Sequence, residues 1–573
     1  MKIFKLFPLA CAALMMSACG SDNDIEGGAT KPGSDPQYLA VNIVNVGSTP
    51  TRAEGYEDGK QEESKITKVR FYFFNNDGTP YLIKAPGVTG VSGADNVNWL
   101  EASPNDDTET SGTPSPVEKI TQSVLVINGV QAAAPASIVA VVNPQTVDAT
   151  VLNNNGVMRL SQLRSTAVGN KFYNKDASTG KVSDFVMSNS VYINAGEDVC
   201  SSLVAGHLTT SEKKAMENPV DLYVERVVAK VTADVDKDAF KVGDGKDWDN
   251  TKYGTTTAVG KYGDYDVYAV IEGWGLAEEN GKAEVEKQVD KSWTDGTLGI
   301  GTWNTYDYHR SFWERSVAFT TGVDGNQPVN HKYKEFKAKI KDELYTLPNT
   351  PIEKVTNLNT NNLTKLLVAA TLRYKDAGNN WQNAEICRYN GMNFLGIDNL
   401  KKHVASTFSQ YYTSTDDGTT HTQLSASDID FKDPDATMVQ YRVTPTLAAD
   451  QEGVTKKYYT KNPGTTSDFT EVDKSTVLAA IEASKAEVRK DGKAYYYVPI
   501  KHLGKAGELG EYGVVRNHFY KITLTGINGF GTPVYNPELV IDPTVPTYDN
   551  TYLAARVQVL QWRIVKQDVN LGE

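Results

Sequence analysis

Apolar and polar residues alternate with a period of two along much of this chain, the spacing of strands that bury one face. The segment 68–74 is the cleanest instance. Val69, Phe71 and Phe73 are predicted inward, Lys68, Arg70 and Tyr72 outward, and Asn75-Asn76-Asp77-Gly78 supplies the turn that ends it. The same texture recurs at 122–127, 137–142, 185–187, 222–235, 266–271, 365–374, 495–500, 519–525 and 555–565. Short runs rich in Thr, Val and Tyr, punctuated by Gly, Asn, Asp and Pro, predict antiparallel sandwiches. The regular helix–strand alternation of a parallel sheet is absent. Two helices are predicted. One is capped by Asp398 and carries Leu400, Val404, Phe408 and Tyr411; the other is capped by Ser475 and carries Val477, Leu478, Ile481 and Val488 before a stop at Gly492. Each has one apolar face and should lie against a sheet. The stretches 105–116 and 413–422 are polar and unpatterned and read as mobile loops. The fold class predicted is all-β with a few short helices.

The first 53 residues follow a different pattern. Lys2 and Lys5 precede a short apolar run over 7–16, and Met16-Ser17-Ala18 places small residues before Cys19. That is the form of a lipoprotein export signal whose cysteine is acylated, and the run is too short to span a bilayer. The segment 20–36 is rich in Gly, Asp, Ser and Pro, carries Asp22, Asp24 and Glu26, and reads as a disordered tether. A strand follows at 38–46, where Leu39, Val41 and Ile43 alternate with Ala40, Asn42 and Val44; turn formers then lead to an exposed Arg52-Ala53 step.

Length and charge narrow the possibilities. At 573 residues the chain exceeds what one hydrophobic core organises, and a boundary is placed at Asn218-Pro219, before the apolar run starting at Val220. The 58 basic and 71 acidic residues give −13, spread along the chain, which excludes a nucleic-acid partner because phosphate neutralisation needs clustered cations. Cys11 and Cys19 belong to the signal, leaving Cys200 and Cys387 as buried thiols or one bridge, with thiols the favoured reading.

The chemistry-bearing motifs are missing: no HExxH, GxSxG, GxxxxGK[ST] or paired CxxC occurs. Asp234, Asp236 and Asp238 start like a calcium loop, but Ala239 and Gly245 stand where a glycine and a bidentate glutamate are needed. No catalytic residue, metal ligand or cofactor is therefore assigned. Trp303, Tyr306, Tyr308 and Trp313 could stack on sugars, but strand packing accounts for them more simply.

At the C-terminus, Val557 and Val559 share one face, after which the phase shifts so that Leu560, Trp562 and Ile564 share the other; Val569 and Leu571 follow. Such a shift suggests a bulge or two short strands.

Three segments resemble the fimbrillins of Bacteroidales, most closely those of the short, minor fimbriae: Val224-Glu225-Arg226-Val227-Val228-Ala229-Lys230-Val231, Gly513-Val514-Val515-Arg516-Asn517-His518-Phe519-Tyr520, and Val557-Gln558-Val559-Leu560-Gln561-Trp562-Arg563. Phe185-Val186-Met187-Ser188-Asn189 fits as well. The resemblance implies two transthyretin-like antiparallel β-sandwich domains, at 53–218 and 219–573, behind a signal at 1–19 and a removable leader at 20–52. It further implies a fimbrial subunit that supports adhesion, is exported to the outer membrane as a lipoprotein through Cys19, and is trimmed by an arginine-specific protease between Arg52 and Ala53. Loss of the leader strand bearing Leu39, Val41 and Ile43 would open an apolar groove. A strand from another copy would fill it, with the tail residues Val557, Val559, Leu560, Trp562, Ile564, Val569 and Leu571 as donor. Its partners would be other copies of itself and accessory fimbrial subunits on the cell surface. The alternatives are an accessory tip or anchor subunit, or a lipid-anchored surface glycan-binding protein.

Overall fold

The computed structural model describes residues 37–45, 60–83, 97–103, 119–127, 134–147, 152, 157–169, 172–194, 197–290, 313–317, 326–358, 363–434, 441–504, 506–543, 552–560 and 566–567. Strands dominate, and the helices are few and short. The first sheet uses β1 (Gln37–Asn45), β2 (Val69–Phe74), β3 (Trp99–Ala102), β4 (Lys119–Ile127), β5 (Ser137–Val142), β6 (Met187–Asn189) and β7 (Val220–Arg226) in the order β3-β2-β5-β6-β7-β1-β4; Ser202–Leu203 also pairs with β5. Short helix α1 (Glu212–Glu217) packs on β1 and β4. The underlying core joins Leu39, Val41 and Ile43 to Phe71, Val139, Val141 and Leu222.

β2 departs from its alternating pattern, because all six of its residues are buried. Its second face is covered where Arg70 Nη1 and Tyr72 Oη donate to the Leu152 carbonyl at 2.7 and 3.1 Å, and Arg70 also lies over the Trp99 ring.

The run 222–235 is two strands rather than one. β7 is the last strand of the first sheet in chain order and lies inside it between β6 and β1, and after Val227-Val228 the chain enters β8 (Ala229–Val235) in the second body. There β8 joins β9 (Tyr265–Ala277), β10 (Glu343–Thr346), β11 (Lys365–Lys375), β12 (Lys493–Pro499), β13 (Phe519–Asn528), β14 (Tyr552–Leu560) and β15 (Lys566–Gln567). They form two sheets, one ordered β10-β8-β13-β14-β15 and the other built around β9-β11-β12. Val231, Ile522 and Leu524 from one sheet meet Val267, Val368 and Val498 from the other in a common core. Two of the pairings, β1 with β7 and β8 with β13, are parallel, which an expectation of purely antiparallel sandwiches did not include. β9 bulges between Ile271 and Gly273. A Cβ at Gly275 would stand 2.7 Å from the Phe336 ring, so the strand passes only because no side chain is there.

Residues 384–489 fold between β11 and β12 around a separate core of Cys387, Leu400, Val404, Val443, Val477, Ile481 and Val488. This third body holds both predicted helices, α2 (Ile397–Thr407) and α3 (Lys474–Glu482), which pack against its strands. Gly396 and Asp473 occupy the cap positions, while Asp398 and Ser475 sit inside the first turns; Phe408, Tyr411 and Val488 lie beyond the helices. Part of the stretch expected as a mobile loop, 413–422, is a hairpin between Tyr411–Ser414 and Thr422–Gln423. Asp416 closes it by accepting from Thr420 N and Ser414 Oγ at 2.8 and 2.7 Å.

Candidate functional site

The feature that organises the first body is the lane occupied by β1. On one side β1 runs antiparallel to β4 over nine positions, from Gln37 opposite Ile127 to Asn45 opposite Lys119. On the other it runs parallel to β7 over five, from Val41 opposite Val220 to Asn45 opposite Val224. Leu39, Val41 and Ile43 are each 0% exposed, so one face of the strand is a full member of the core. Each contributes about 1.5–3 kcal/mol by leaving water, and the two ladders pair backbone groups of both neighbouring strands.

Downstream of Arg52-Ala53 the chain is fastened at Lys60–Ser64. Glu63, 0% exposed, accepts Lys230 Nζ at 2.7 Å and the Tyr345 hydroxyl. The Glu63 carbonyl accepts Arg226 Nε at 2.8 Å, and Ser64 Oγ accepts Arg226 Nη2 at 2.7 Å. Lys60 and Lys230 also reach Glu343, at 2.5 and 2.9 Å. Burial works against ionisation of Glu343, but these two ammonium groups outweigh it and hold the carboxyl below its ordinary range. The clasp thereby ties the segment after the proposed cut to β7, β8 and β10. Cys19, Arg52 and Ala53 lie outside the described residues.

In the tail, β14 pairs antiparallel with β13, placing Val557 opposite Ile522, Val559 opposite Tyr520 and Leu560 opposite Phe519. Ala555 is buried, and β15 folds back on β14 through Val557 and Gln558. Trp562, Ile564, Val569 and Leu571 lie outside the described residues. The register is continuous from Ala555 to Leu560, and the bulge of this pair falls at Leu524/Gly526 and Ala554.

The segments that carried the family resemblance meet where the two bodies join. Arg226 Nη1 donates to Asn517 Oδ1 at 2.9 Å. Arg516, 0% exposed, donates to Glu314 Oε2 at 2.7 Å and to the carbonyls of Val285 and Glu284 at 3.0 Å. Lys287 and Glu225 form a buried pair at 2.8 Å. Burial pushes the Glu286 carboxyl up to about 8, against the pull of Arg516 and Arg164, and pushes Glu284 up to about 7. Sequence reasoning assigned no role to Glu63, Glu286 or Glu314, because charged residues outside a motif read as solvated surface.

Cys200 and Cys387 are free and buried, and burial pushes their thiols up to about 11 and about 12. Trp313 is 0% exposed and packs with Val191, Cys200, Val289 and Val515, so it is a core residue and not a sugar platform; Trp303, Tyr306 and Tyr308 lie outside the described residues. Among the described residues no cluster of His, Cys, Asp and Glu could hold a metal ion, and no helix is long and apolar enough to cross a membrane.

No curated protein matches the chain. Among solved structures it is similar to a fimbrilin (fimA) from Porphyromonas gingivalis W83, at 11% identity over 94% of this chain and 100% of that one, with a TM-score of 0.36. It is similar also to a putative cell adhesion protein from Bacteroides eggerthii DSM 20697, at 11% identity over 94% and 98% with a TM-score of 0.36. A third is the tip fimbrial protein Mfa3 from Porphyromonas gingivalis, with a C-terminal truncation, at 9% identity over 92% and 100% with a TM-score of 0.30. Residues 489–568, which begin where the third body ends and hold β12 to β15, match the family model described as major fimbrial subunit protein type IV, Fimbrillin, C-terminal. Over residues 489–568 the chain is therefore similar to the C-terminal region of fimbrillins.

Proposed function

We propose that this chain is a stalk subunit of a surface fimbria, delivered to the outer membrane as a lipoprotein through Cys19, activated by an arginine-specific cut after Arg52 and polymerised by strand exchange. The observation that carries the reading is the position of β1: an internal strand of the first sheet with Leu39, Val41 and Ile43 in the core. Six residues separate Ala53 from the clasp at Lys60, so a cut after Arg52 would divide a leader strand held by pairing and burial from a body held by buried ion pairs. Cleavage alone need not eject β1. Once it leaves, unpaired backbone on β7 and β4 would flank an apolar lane, a template for a strand from a second copy.

The tail supplies that strand. β14 and β15 end their sheet, and 561–573 continues with Trp562, Ile564, Val569 and Leu571. Donor and acceptor lie in different bodies of one chain, so the contact is heterologous and propagates into a filament.

N-terminal sequencing of subunits in the assembled surface polymer tests the reading. A start at Ala53 is expected, and stalk subunits that all retain an acylated Cys19 would refute it.

A further inference from the structure

Among the described residues β4 ends the first sheet and joins it through β1. With β1 gone, the inner edge of β4 and the freed edge of β7 would face each other across one vacant lane. Their polarity is already matched: β4 is antiparallel to β1 and β7 is parallel to it, so β4 and β7 are antiparallel to one another. Their register is matched too, because β1 holds them in shared rows. Val41 lies between Ser123 and Val220, Asn42 between Gln122 and Asp221, Ile43 between Thr121 and Leu222, and Val44 between Ile120 and Tyr223. A sideways move of one strand spacing, about 4.8 Å, would pair these rows without any slip along the strand.

We propose that β4 is a self-sealing strand: when the leader departs, β4 moves onto β7 and closes the lane until an incoming strand displaces it. The inference rests on the reading that the leader is released. Its driving force is the row of unpaired N–H and C=O groups that an empty lane leaves on two edges at once. The seal is weak by composition. The rows filled in the core by Val41 and Ile43 would pass to Ser123 and Thr121, which restore the ladder but not the apolar packing. A strand with apolar residues at both rows would therefore outcompete β4. The seal hides an edge prone to promiscuous pairing while leaving it open to a better-matched donor.

A disulfide reporter tests the closure. Gln122→Cys and Asp221→Cys flank Asn42 in one row, and Asp221 is exposed. With β1 between them their Cα atoms are two strand spacings apart, roughly 9–10 Å, beyond the ~7 Å limit for a bridge. In the sealed state they become direct neighbours at about 4.5–5.5 Å. The full chain is cut after Arg52 at high dilution, leader loss is followed by mass, and a mild oxidant is added. The bridge should be absent from the uncut chain, form in chains that have lost the leader, and be suppressed by a synthetic peptide of residues 37–45. Ile120→Cys with Tyr223→Cys, one row on the same face further along, should behave alike. Leader loss without a bridge in either pair, or bridging at equal rates before and after cutting, overturns the seal. Retention of the leader after cutting overturns the release reading and the seal with it.

Discussion

Ile43→Ala measures directly how firmly β1 is held. Ile43 is 0% exposed and lies in the row between Thr121 and Leu222. The substitution removes three carbons, about 2.4 kcal/mol at about 0.8 kcal/mol per buried CH₂, and adds a cavity term that brings comparable changes to about 2–5 kcal/mol. Alanine keeps the backbone N–H and C=O, so both ladders survive and the loss is one of packing alone. Local opening of β1 should then become roughly 30- to 4000-fold more populated, at 1.4 kcal/mol per tenfold. Hydrogen exchange on the uncut chain reads this as lost protection across β1 and β4, with β9 and β11 in the second body unchanged. Leu203→Ala, at a side chain 64% exposed on the same sheet, is the control and should shift exchange by less than about 0.5 kcal/mol. If Ile43→Ala changed β1 protection no more than that control, β1 would not be held by its buried face. If protection fell equally in both bodies, the first body would not open independently. Either result would refute the reasoning behind the lane.

Two further outcomes are expected. Glu63→Ala strands Lys230 against Glu343 alone and breaks the tie between Lys60–Ser64 and β8; the cost should be about 3–5 kcal/mol in urea unfolding, whereas Lys341→Ala, in an exposed pair with Asp234, should cost less than about 1 kcal/mol. An equal, small effect at both sites would mean the clasp is not an anchor. Glu286 is held protonated by burial, its pKa raised from the ordinary 4.5 to about 8. The folded state binds the extra proton, so this contribution to stability is complete below about 4.5 and is lost as pH rises through about 8. Glu286→Gln should flatten the fall in stability over that window, with Arg516, Arg164 and Glu225 the charged groups facing it and Glu284 retaining its own fall over a shorter window that ends at about 7. Identical pH profiles for the two chains would show that Glu286 ionises freely.

What the sequence made legible was local. The alternation Leu39, Val41, Ile43 survives as β1 because one face is core, β4 pairs with it at every position and β7 pairs with it from Val41 to Asn45. The helices at 397–407 and 474–482 were visible because Leu400 with Val404, and Val477 with Ile481, recur at a spacing only a helix brings onto one face. Partnerships across the fold were not visible. Nothing in the pattern of 68–74 indicates that Leu152 will cover the second face of β2. Nothing in 220–235 marks Val227-Val228 as a change of sheet, since both residues are apolar and buried like their neighbours. The short strands of 384–489 carry the same texture as those around them, and alternation does not say which core a strand joins. The site followed the same division: the strand at Gln37–Asn45 could be read, whereas the clasp at Glu63 sits in the polar run Gln61-Glu62-Glu63, whose burial depends on Lys230, Tyr345 and Arg226 arriving from far along the chain.

The two bodies share a wiring that, under the proposed release of β1, would confine strand loss to one of them. In the first, β1 is parallel to β7 on one side and antiparallel to β4 on the other; in the second, β8 is parallel to β13 and antiparallel to β10. The middle strand is therefore equivalent in geometry and opposite in attachment. β8 continues directly from β7 through Val227-Val228, and its Lys230 is pinned by Glu63 and Glu343, so no single cut frees it. β1 is joined to the clasp by 46–59 and has no ion pair of that kind among its described side chains, only packing and ladder bonds that another strand can reproduce. Under the proposed exchange, the buried charge of Lys230 would keep β8 in place, whereas the described side chains of β1 are held by apolar burial alone. Breaking a buried ion pair strands a charge in the interior, whereas swapping one apolar strand for another exchanges like for like.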